Sequence, residues 1–129
     1  MLIESYRDLD VWKAGHQMVL AVYGETSHFP DGEKYGVTSQ IRRSAVSIPA
    51  NLAEGFGKRS VKDFLRYCLI ANGSLQETSY LLLLSKDLGY LKDEPYESLD
   101  SLAGKVGSLL GGLERSLRKQ LKSTESLNE

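Results

Sequence analysis

The most regular pattern of apolar and polar positions in this chain lies between residues 37 and 58. Apolar side chains recur there every three or four positions, at Val37, Ile41, Ala45, Ile48, Leu52 and Phe56. That spacing places them on one face of an α-helix. A polar series with the same spacing runs beside it, through Gln40, Arg43, Ser47, Asn51, Glu54 and Lys58. The sequence therefore predicts a long helix with an apolar face and an adjacent row of hydrogen-bonding side chains.

Pro49 lies inside this helical pattern. Because proline has no backbone N–H and its ring clashes with the preceding turn, the sequence predicts a second helix that is kinked at Pro49 and held by tertiary contacts on both sides of the kink. Buried polar groups need hydrogen-bond partners, so we expect Arg43, Asn51 and Glu54 to contact another helix or another subunit. Glu77, in the following helix, is a further candidate for such a contact.

Three other segments carry helical periodicity. Asp8 or Asp10 can cap the first helix, and Ser60 followed by Asp63 resembles a capping box that opens the third. The fourth begins at Asp93-Glu-Pro95 and carries leucines at the spacing of a bundle seam. The four predicted helices span residues 9–26, 33–55, 60–88 and 93–121.

Four amphipathic segments with short connections and no strand-like alternation predict an all-α fold, an up-down-up-down four-helix bundle. The length of 129 residues fits one domain, which we assign to residues 1–121. Residues 122–129 have no apolar period and are predicted to be a disordered tail. The apolar faces of helices one and three are broader than one neighbour requires, which predicts a homo-oligomer.

Composition favours an ordinary globular protein, with 41% hydrophobic and 26% charged residues. The longest apolar run, Tyr80 to Leu84, is too short to span a bilayer, and the N-terminal residues lack the basic and apolar regions of a signal peptide. The single cysteine, Cys68, fits a reducing compartment and lies on an apolar helix face, where a buried inert thiol is expected. We therefore expect a cytoplasmic protein without a membrane segment.

Signals for catalysis or cofactor binding are weak. The run GFGKRS lacks the spacing and the preceding strand of a nucleotide-binding P-loop. Glu25-x-x-His28 is the only metal-like pattern, whereas a di-iron bundle needs two such motifs and further glutamates. His16 lies on an apolar face, as packing histidines do, and no serine or cysteine has a general base placed by a local motif. We expect no enzymatic activity, no metal site and no cofactor.

Positive charge is concentrated in the middle of the chain. Residues 40–67 contain six basic and two acidic residues, a local charge of +4, and the remainder carries −5. One interpretation is a patch that binds phosphate backbones by charge and shape, with little sequence specificity. The other is a solvated face or a set of salt bridges within or between subunits. The residues concerned are Arg42, Arg43, Lys58, Arg59 and Lys62.

Residues 6–121, and most specifically the runs QIRRSAVSIPANLAEG at 40–55 and ANGSLQE at 71–77, resemble a known family. It is the four-helix-bundle family named after open reading frames in intervening sequences of 23S ribosomal RNA genes, and it includes the accessory variability determinant of diversity-generating retroelements. The resemblance implies a bacterial homopentamer of four-helix protomers. Retroelement members bind nucleic acid and a reverse transcriptase through a basic surface, which implies Arg42, Arg43, Lys58, Arg59 and Lys62 as contacts here.

Two functional hypotheses follow. The first is a non-enzymatic oligomer that binds RNA, DNA or a nucleic-acid-processing partner through the basic residues. The alternative is a purely structural assembly protein whose arginines and glutamates pair across subunits. A metal-dependent bundle enzyme is a third and weaker interpretation.

Overall fold

The chain folds into four α-helices in a computed structural model, which describes residues 3–128 and the side chains of residues 3–124. The helices are α1 (Asp10–Thr26), α2 (Val37–Gly57), α3 (Val61–Asp87) and α4 (Asp93–Asn128). Two short 3-10 helices, Tyr6–Asp8 and Asp31–Glu33, precede α1 and α2. Within residues 3–128 there is no β-strand. The predicted all-α four-helix bundle is confirmed.

Consecutive helices pack against each other in opposite directions. On α3, Ser74 is level with Ser47 of α2, and Tyr67 is level with Glu54. The residue numbers fall along α3 as they rise along α2, so the two helices are antiparallel. The same reversal relates α1 to α2 and α3 to α4, through the pairs Thr26–Arg42, Gly15–Ile48, Leu75–Gly107 and Lys86–Tyr96. These pairings agree with the predicted up-down-up-down order.

The apolar face of α2 forms the centre of the core, as its periodicity predicts. Ile41, Ala45, Ile48 and Leu52 are completely buried. Around them pack apolar residues of the other three helices, each no more than 4% exposed, including Met18, Val22, Leu75, Leu81, Leu82, Leu99, Val106 and Leu110. One core therefore holds all four helices together, and its burial supplies the main stabilising free energy of the fold.

The start of α2 differs from the predicted one, whereas α4 begins at Asp93 as predicted. α2 begins at Val37 rather than Glu33, because the Glu33 carboxylate accepts a hydrogen bond from the Val37 N–H at 3.2 Å and caps the helix from outside. Asp8 takes part in a capping box with Ser5 before α1, whose own N-cap, Leu9, has no side-chain hydrogen bond. The Ser60 cap of α3 is confirmed, since its hydroxyl accepts from the Asp63 N–H.

Pro49 lies within a continuous α2, and the predicted kink there stays a prediction. The domain limit at residue 121 and the disordered tail also stay predictions. The backbone of α4 is helical to Asn128, while the side chains of residues 125–129 and the whole of Glu129 lie outside the described residues. None of the described helices is long and apolar enough to cross a bilayer.

Gly55 sets the distance between α2 and α3 at the end of the bundle where the two helices are joined. A Cβ atom added there would lie 2.6 Å from Tyr67 Cβ and 3.1 Å from the Phe64 ring. Only a glycine lets the backbone of α2 come so close to α3. This approach fixes Tyr67 beside the α2–α3 turn, where the candidate site begins.

Candidate nucleic-acid interface

The α2–α3 turn carries three of the predicted contact residues. Lys58, Arg59 and Lys62 are all exposed and lie between the last turn of α2 and the first turn of α3. Arg59 has a positive φ of 57°, and its N–H donates to the Phe56 carbonyl at the end of α2. The turn therefore presents three cations to solvent within five residues.

Tyr67 extends this cluster and was not among the residues predicted from the sequence. Its ring centroid lies 4.7 Å from the Arg66 guanidinium carbon and 5.8 Å from Lys58 Nζ. Its hydroxyl donates to Glu54 at 3.3 Å. Arg66 and Lys58 come together on one aromatic ring because of the register in which α2 packs against α3, which the spacing along the chain does not reveal.

Arg42 and Arg43 do not belong to the same patch on one protomer. They precede Lys58 by fifteen or sixteen residues, about 23 Å along a helix that rises 1.5 Å per residue. Arg42 is half-buried, donates from Nε to Thr26 Oγ1 at 2.8 Å and lies 4.6 Å from the Tyr23 ring. Arg43 is exposed. On one protomer both arginines therefore lie away from the α2–α3 turn, and their role as nucleic-acid contacts stays a prediction.

The second half of α4 supplies cations that the sequence analysis did not include. Arg115, Arg118, Lys119 and Lys122 are exposed and line one shallow surface depression. Their spacing of three and four places them on one stripe of the helix. Because α4 runs antiparallel to α3, this stripe lies at the same end of the molecule as the α2–α3 turn.

The two ends of the bundle have opposite charge. We call the segments 54–67 and 113–122 the basic end; they contain eight cations and three carboxylates, and residues 3–10 at the same end add one cation and three carboxylates, which leaves this end positive. The acidic end comprises residues 25–36 and 84–100, with eight carboxylates and three cations. The small net charge of −1 therefore hides a separation of positive from negative charge along the bundle.

The polar row on α2 faces α3 along its edge. Glu54 is exposed and accepts from Tyr67, and Glu77 is exposed and accepts from Gln40 at 3.5 Å. Asn51 is half-buried, but its amide donates within α2 itself, to the carbonyl and hydroxyl oxygens of Ser47. Two of the four predicted polar contacts thus join helices in one protomer, Asn51 does not, and the expected contacts to another subunit stay predictions.

Comparison with known proteins identifies the family. The family model for 23S rRNA-intervening sequence proteins matches residues 7–112. The chain belongs to this family. It is also similar, at 26% identity and a TM-score of 0.72, to a crystal structure of a protein of unknown function from the S23 ribosomal protein family of Bacteroides thetaiotaomicron. The match covers 81% of this chain and 97% of that one. A comparison with curated proteins found no match.

The interior of this 23S rRNA-intervening sequence protein contains a short network of hydroxyl groups between α2 and α3. Thr78 donates to Ser44 at 2.8 Å, and the Ser47 and Ser74 hydroxyls are 2.8 Å apart. Thr78 is fully buried and Ser44 nearly so. Each of the two also contacts a carbonyl oxygen of its own helix, so their polar atoms are satisfied. The network fixes the register of α2 against α3.

The groups with potential chemistry lie apart. Cys68 is buried, as predicted, and its burial, with a smaller effect of the Glu114 charge, raises the thiol pKa to about 12. His16 is exposed rather than packed into the core, and stacks on Trp12 at 5.1 Å. No group of three or more histidine, cysteine or acidic side chains in the described part of the chain is arranged to hold a metal ion.

Proposed function

We propose that this 23S rRNA-intervening sequence protein is a non-enzymatic homo-oligomer that binds nucleic acid through its basic end. The observation that carries the proposal is the gathering of eight cations from α2, α3 and α4 at one end of the bundle. Phosphate backbones are recognised by such clusters through counterion release, without a shaped pocket for each base. No catalytic group is needed for this role.

Exposed apolar residues support the oligomeric part of the proposal. Leu20 on α1 and Tyr80 on α3 are 59% and 60% exposed. On α3, Tyr80 shares one face with Leu69, Leu83 and Gly73, and the glycine leaves that face open to a close neighbour. On the other side of the protomer, a groove between α1 and α2 is lined by Tyr6, Trp12, His16, Val19, Val46, Pro49, Ala50 and Ala53.

We infer that the α3 face packs against the α1–α2 groove of a second copy. Ser74 is level with Ser47, and Gly15 with Ile48, so the face and the groove lie at the same height along the bundle. Rotation about an axis parallel to the helices preserves height and direction, so it brings one protomer's α3 face against the next protomer's groove. Such head-to-tail contacts close into a ring when the rotation between neighbours is a whole fraction of a full turn. The number five rests on the family resemblance alone.

A ring of this kind would place every basic end on one side. Contacts that are weak on one protomer then act together on a long polyanion, because the effective concentration of the remaining contacts is high. The second candidate function, structural assembly without nucleic acid, is favoured by the same exposed apolar faces. A reverse transcriptase partner remains a proposal that rests on the resemblance.

Fluorescence anisotropy with labelled duplex DNA and single-stranded RNA tests nucleic-acid binding. If four to six phosphates are contacted, log affinity should fall with log salt at a slope of about −3.5 to −5.5, at roughly −0.9 per contact for duplex DNA. Replacing Lys58, Arg59 and Lys62 with glutamine should weaken binding to all sequences alike. The matched control changes Lys34, Lys86 and Lys92, at the acidic end, and should leave affinity unchanged.

Light scattering tests the assembly separately. Tyr80→Glu and Val46→Glu should each reduce the mass to that of a smaller species, since Tyr80 lies on the α3 face, Val46 lines the groove, and either change puts a charge into the apolar contact. Tyr35→Glu is the control, because Tyr35 is 89% exposed and lies outside both faces. Absence of binding at about 50 mM salt with an intact oligomer would favour the structural function. A monomeric wild type would refute the assembly.

A further inference from the structure

A cavity lies at the basic end, beside the core residues Leu9 and Leu117. Its volume is about 800 Å³, within the range of small-molecule sites. It opens between the N-terminal segment, the α2–α3 turn and α4. The apolar residues that line it are Ile3, Leu9, Phe56, Val61, Phe64, Leu113 and Leu117.

The walls of this cavity are apolar on several sides. Phe56 and Phe64 pack edge to face at 6.0 Å and, with Val61 and Leu113, are only half-buried. They therefore keep apolar surface exposed that the described residues 3–124 do not cover. A hydrocarbon chain placed here would remove that surface from water, which is the main source of affinity for such ligands.

The charged lining consists of one cation and one carboxylate, Arg59 and Glu4, beside the polar Ser60 and Gln120. Ser60 Oγ accepts a hydrogen bond in the α3 cap and keeps its proton to donate, but Arg59 carries the positive charge in this lining and is therefore the principal partner for an anion. Glu4 opposes an anion, and its removal should strengthen anion binding. Lys58 and Lys62 flank Arg59 and make the surrounding potential positive.

The backbone conformation of Arg59 indicates that the arginine side chain has a functional role at this position. Among the described residues, Arg59 is the only one other than glycine with a positive φ. It occupies the position after the C-cap of α2, where glycine is preferred because it adopts this conformation without strain. An arginine at this position destabilises the turn relative to glycine, and such strained residues concentrate at functional sites.

We propose that the cavity binds a single-chain amphiphile with an anionic head group, of the class of the fatty-acid carboxylates. The alkyl chain lies against Phe56, Phe64 and Leu117, and the carboxylate pairs with the Arg59 guanidinium. Arginine matches this head group well, since its planar fork donates two parallel hydrogen bonds to a carboxylate. The site does not depend on the proposed nucleic-acid function.

Displacement of the fluorescent anion 1-anilinonaphthalene-8-sulfonate by saturated carboxylates tests the proposal with the full-length protein. From octanoate to dodecanoate, each methylene should tighten binding by up to about fourfold, as expected for burial of alkyl surface. Dodecyltrimethylammonium, which has a similar chain and the opposite charge, should displace the probe at least about tenfold less well.

Three variants distinguish specific binding in this cavity from nonspecific binding of amphiphiles to the protein surface. Arg59→Gly should weaken dodecanoate binding about tenfold or more while the melting temperature stays equal or rises, because the strain is relieved. Arg59→Lys should keep most of the affinity, and Glu4→Gln should increase it. Equal binding of dodecanoate by wild type and Arg59→Gly would overturn the proposal. The proposal would also be overturned if the wild type bound dodecyltrimethylammonium as tightly as dodecanoate, or if it bound no carboxylate.

Discussion

Gly55 provides a sharp test of how α2 and α3 are packed. In an exposed helix, replacing glycine with alanine stabilises the folded state by about 1 kcal/mol, because alanine has the higher helix propensity. At Gly55 the new methyl group would lie 2.6 Å from Tyr67 Cβ, well inside van der Waals contact. Tyr67 Cβ is attached directly to the backbone of α3, so the side chain cannot turn away.

The expected effect follows from these two opposing contributions. Forcing a methyl group into a packed contact destabilises a protein by about 1–3 kcal/mol. Gly104, in an exposed part of α4 with no atom within 4 Å of an added Cβ, is the matched control, since its alanine variant gains propensity without a clash. We therefore expect Gly55→Ala to be less stable than Gly104→Ala by about 1–3 kcal/mol.

Urea unfolding followed by circular dichroism, at one protein concentration for all variants, measures this difference. The thermal midpoints should differ in the same order, by about 4 °C for each kcal/mol in a chain of this size. The reasoning is refuted if Gly55→Ala equals or exceeds Gly104→Ala in stability. That result would mean that α2 and α3 can separate at this point without loss.

Three further predictions concern side chains inside the protomer. The Cys68 thiol stays protonated in the folded protein because burial raises its pKa to about 12, whereas in the unfolded chain it ionises near pH 9. The free energy of unfolding should therefore fall by about 1 kcal/mol between pH 9 and 10, and urea titrations of Cys68→Ala should lose this dependence. Thr78→Val and Ser44→Ala should each lower the free energy of unfolding by about 1 kcal/mol, and the double variant should lose less than the sum, since the two side chains share a hydrogen bond. Additive losses in a double-mutant cycle would show that this bond does not contribute to stability. Arg42→Met should destabilise the folded protein by about 1–2 kcal/mol because it loses its contacts with α1, whereas Arg43→Met, at an exposed position, should change the stability by no more than about 0.5 kcal/mol. Equal shifts in the melting temperature of the two variants would contradict this difference.

The fold was predictable because its determinants are local and periodic. The apolar series of α2 fixes which side of that helix faces the core, and Ile41 and Leu52 are buried as the spacing requires. The Ser60 cap follows from the same kind of short-range signal. The start of α2 was not predictable in this way. Glu33 caps it and also accepts a hydrogen bond from Tyr90, fifty-seven residues away, at 2.8 Å.

The candidate site was only partly predictable, because it is assembled from distant segments. Lys58, Arg59 and Lys62 are close in sequence and remain together in space. Arg115 and Arg118 join them through the packing of α4 against α3, and the register of that packing, unlike the predicted antiparallel order, is not encoded in a local pattern. The charge of Arg42 favoured a contact with nucleic acid at the surface, but its side chain donates a hydrogen bond to Thr26 and packs against α1. Charge counts along a sequence identify cations, but they do not say which end of a bundle each one occupies.

The opposite charge of the two ends gives the molecule a large electric dipole along its helices. An isoelectric point near 6.1 predicts that a protein is repelled by negatively charged resins at neutral pH. This one should nevertheless be retained by heparin or a cation exchanger, because it can turn its positive pole towards the matrix. At low ionic strength, where screening extends over tens of ångströms, the same dipole favours stacking of molecules pole to pole, and added salt should reverse it.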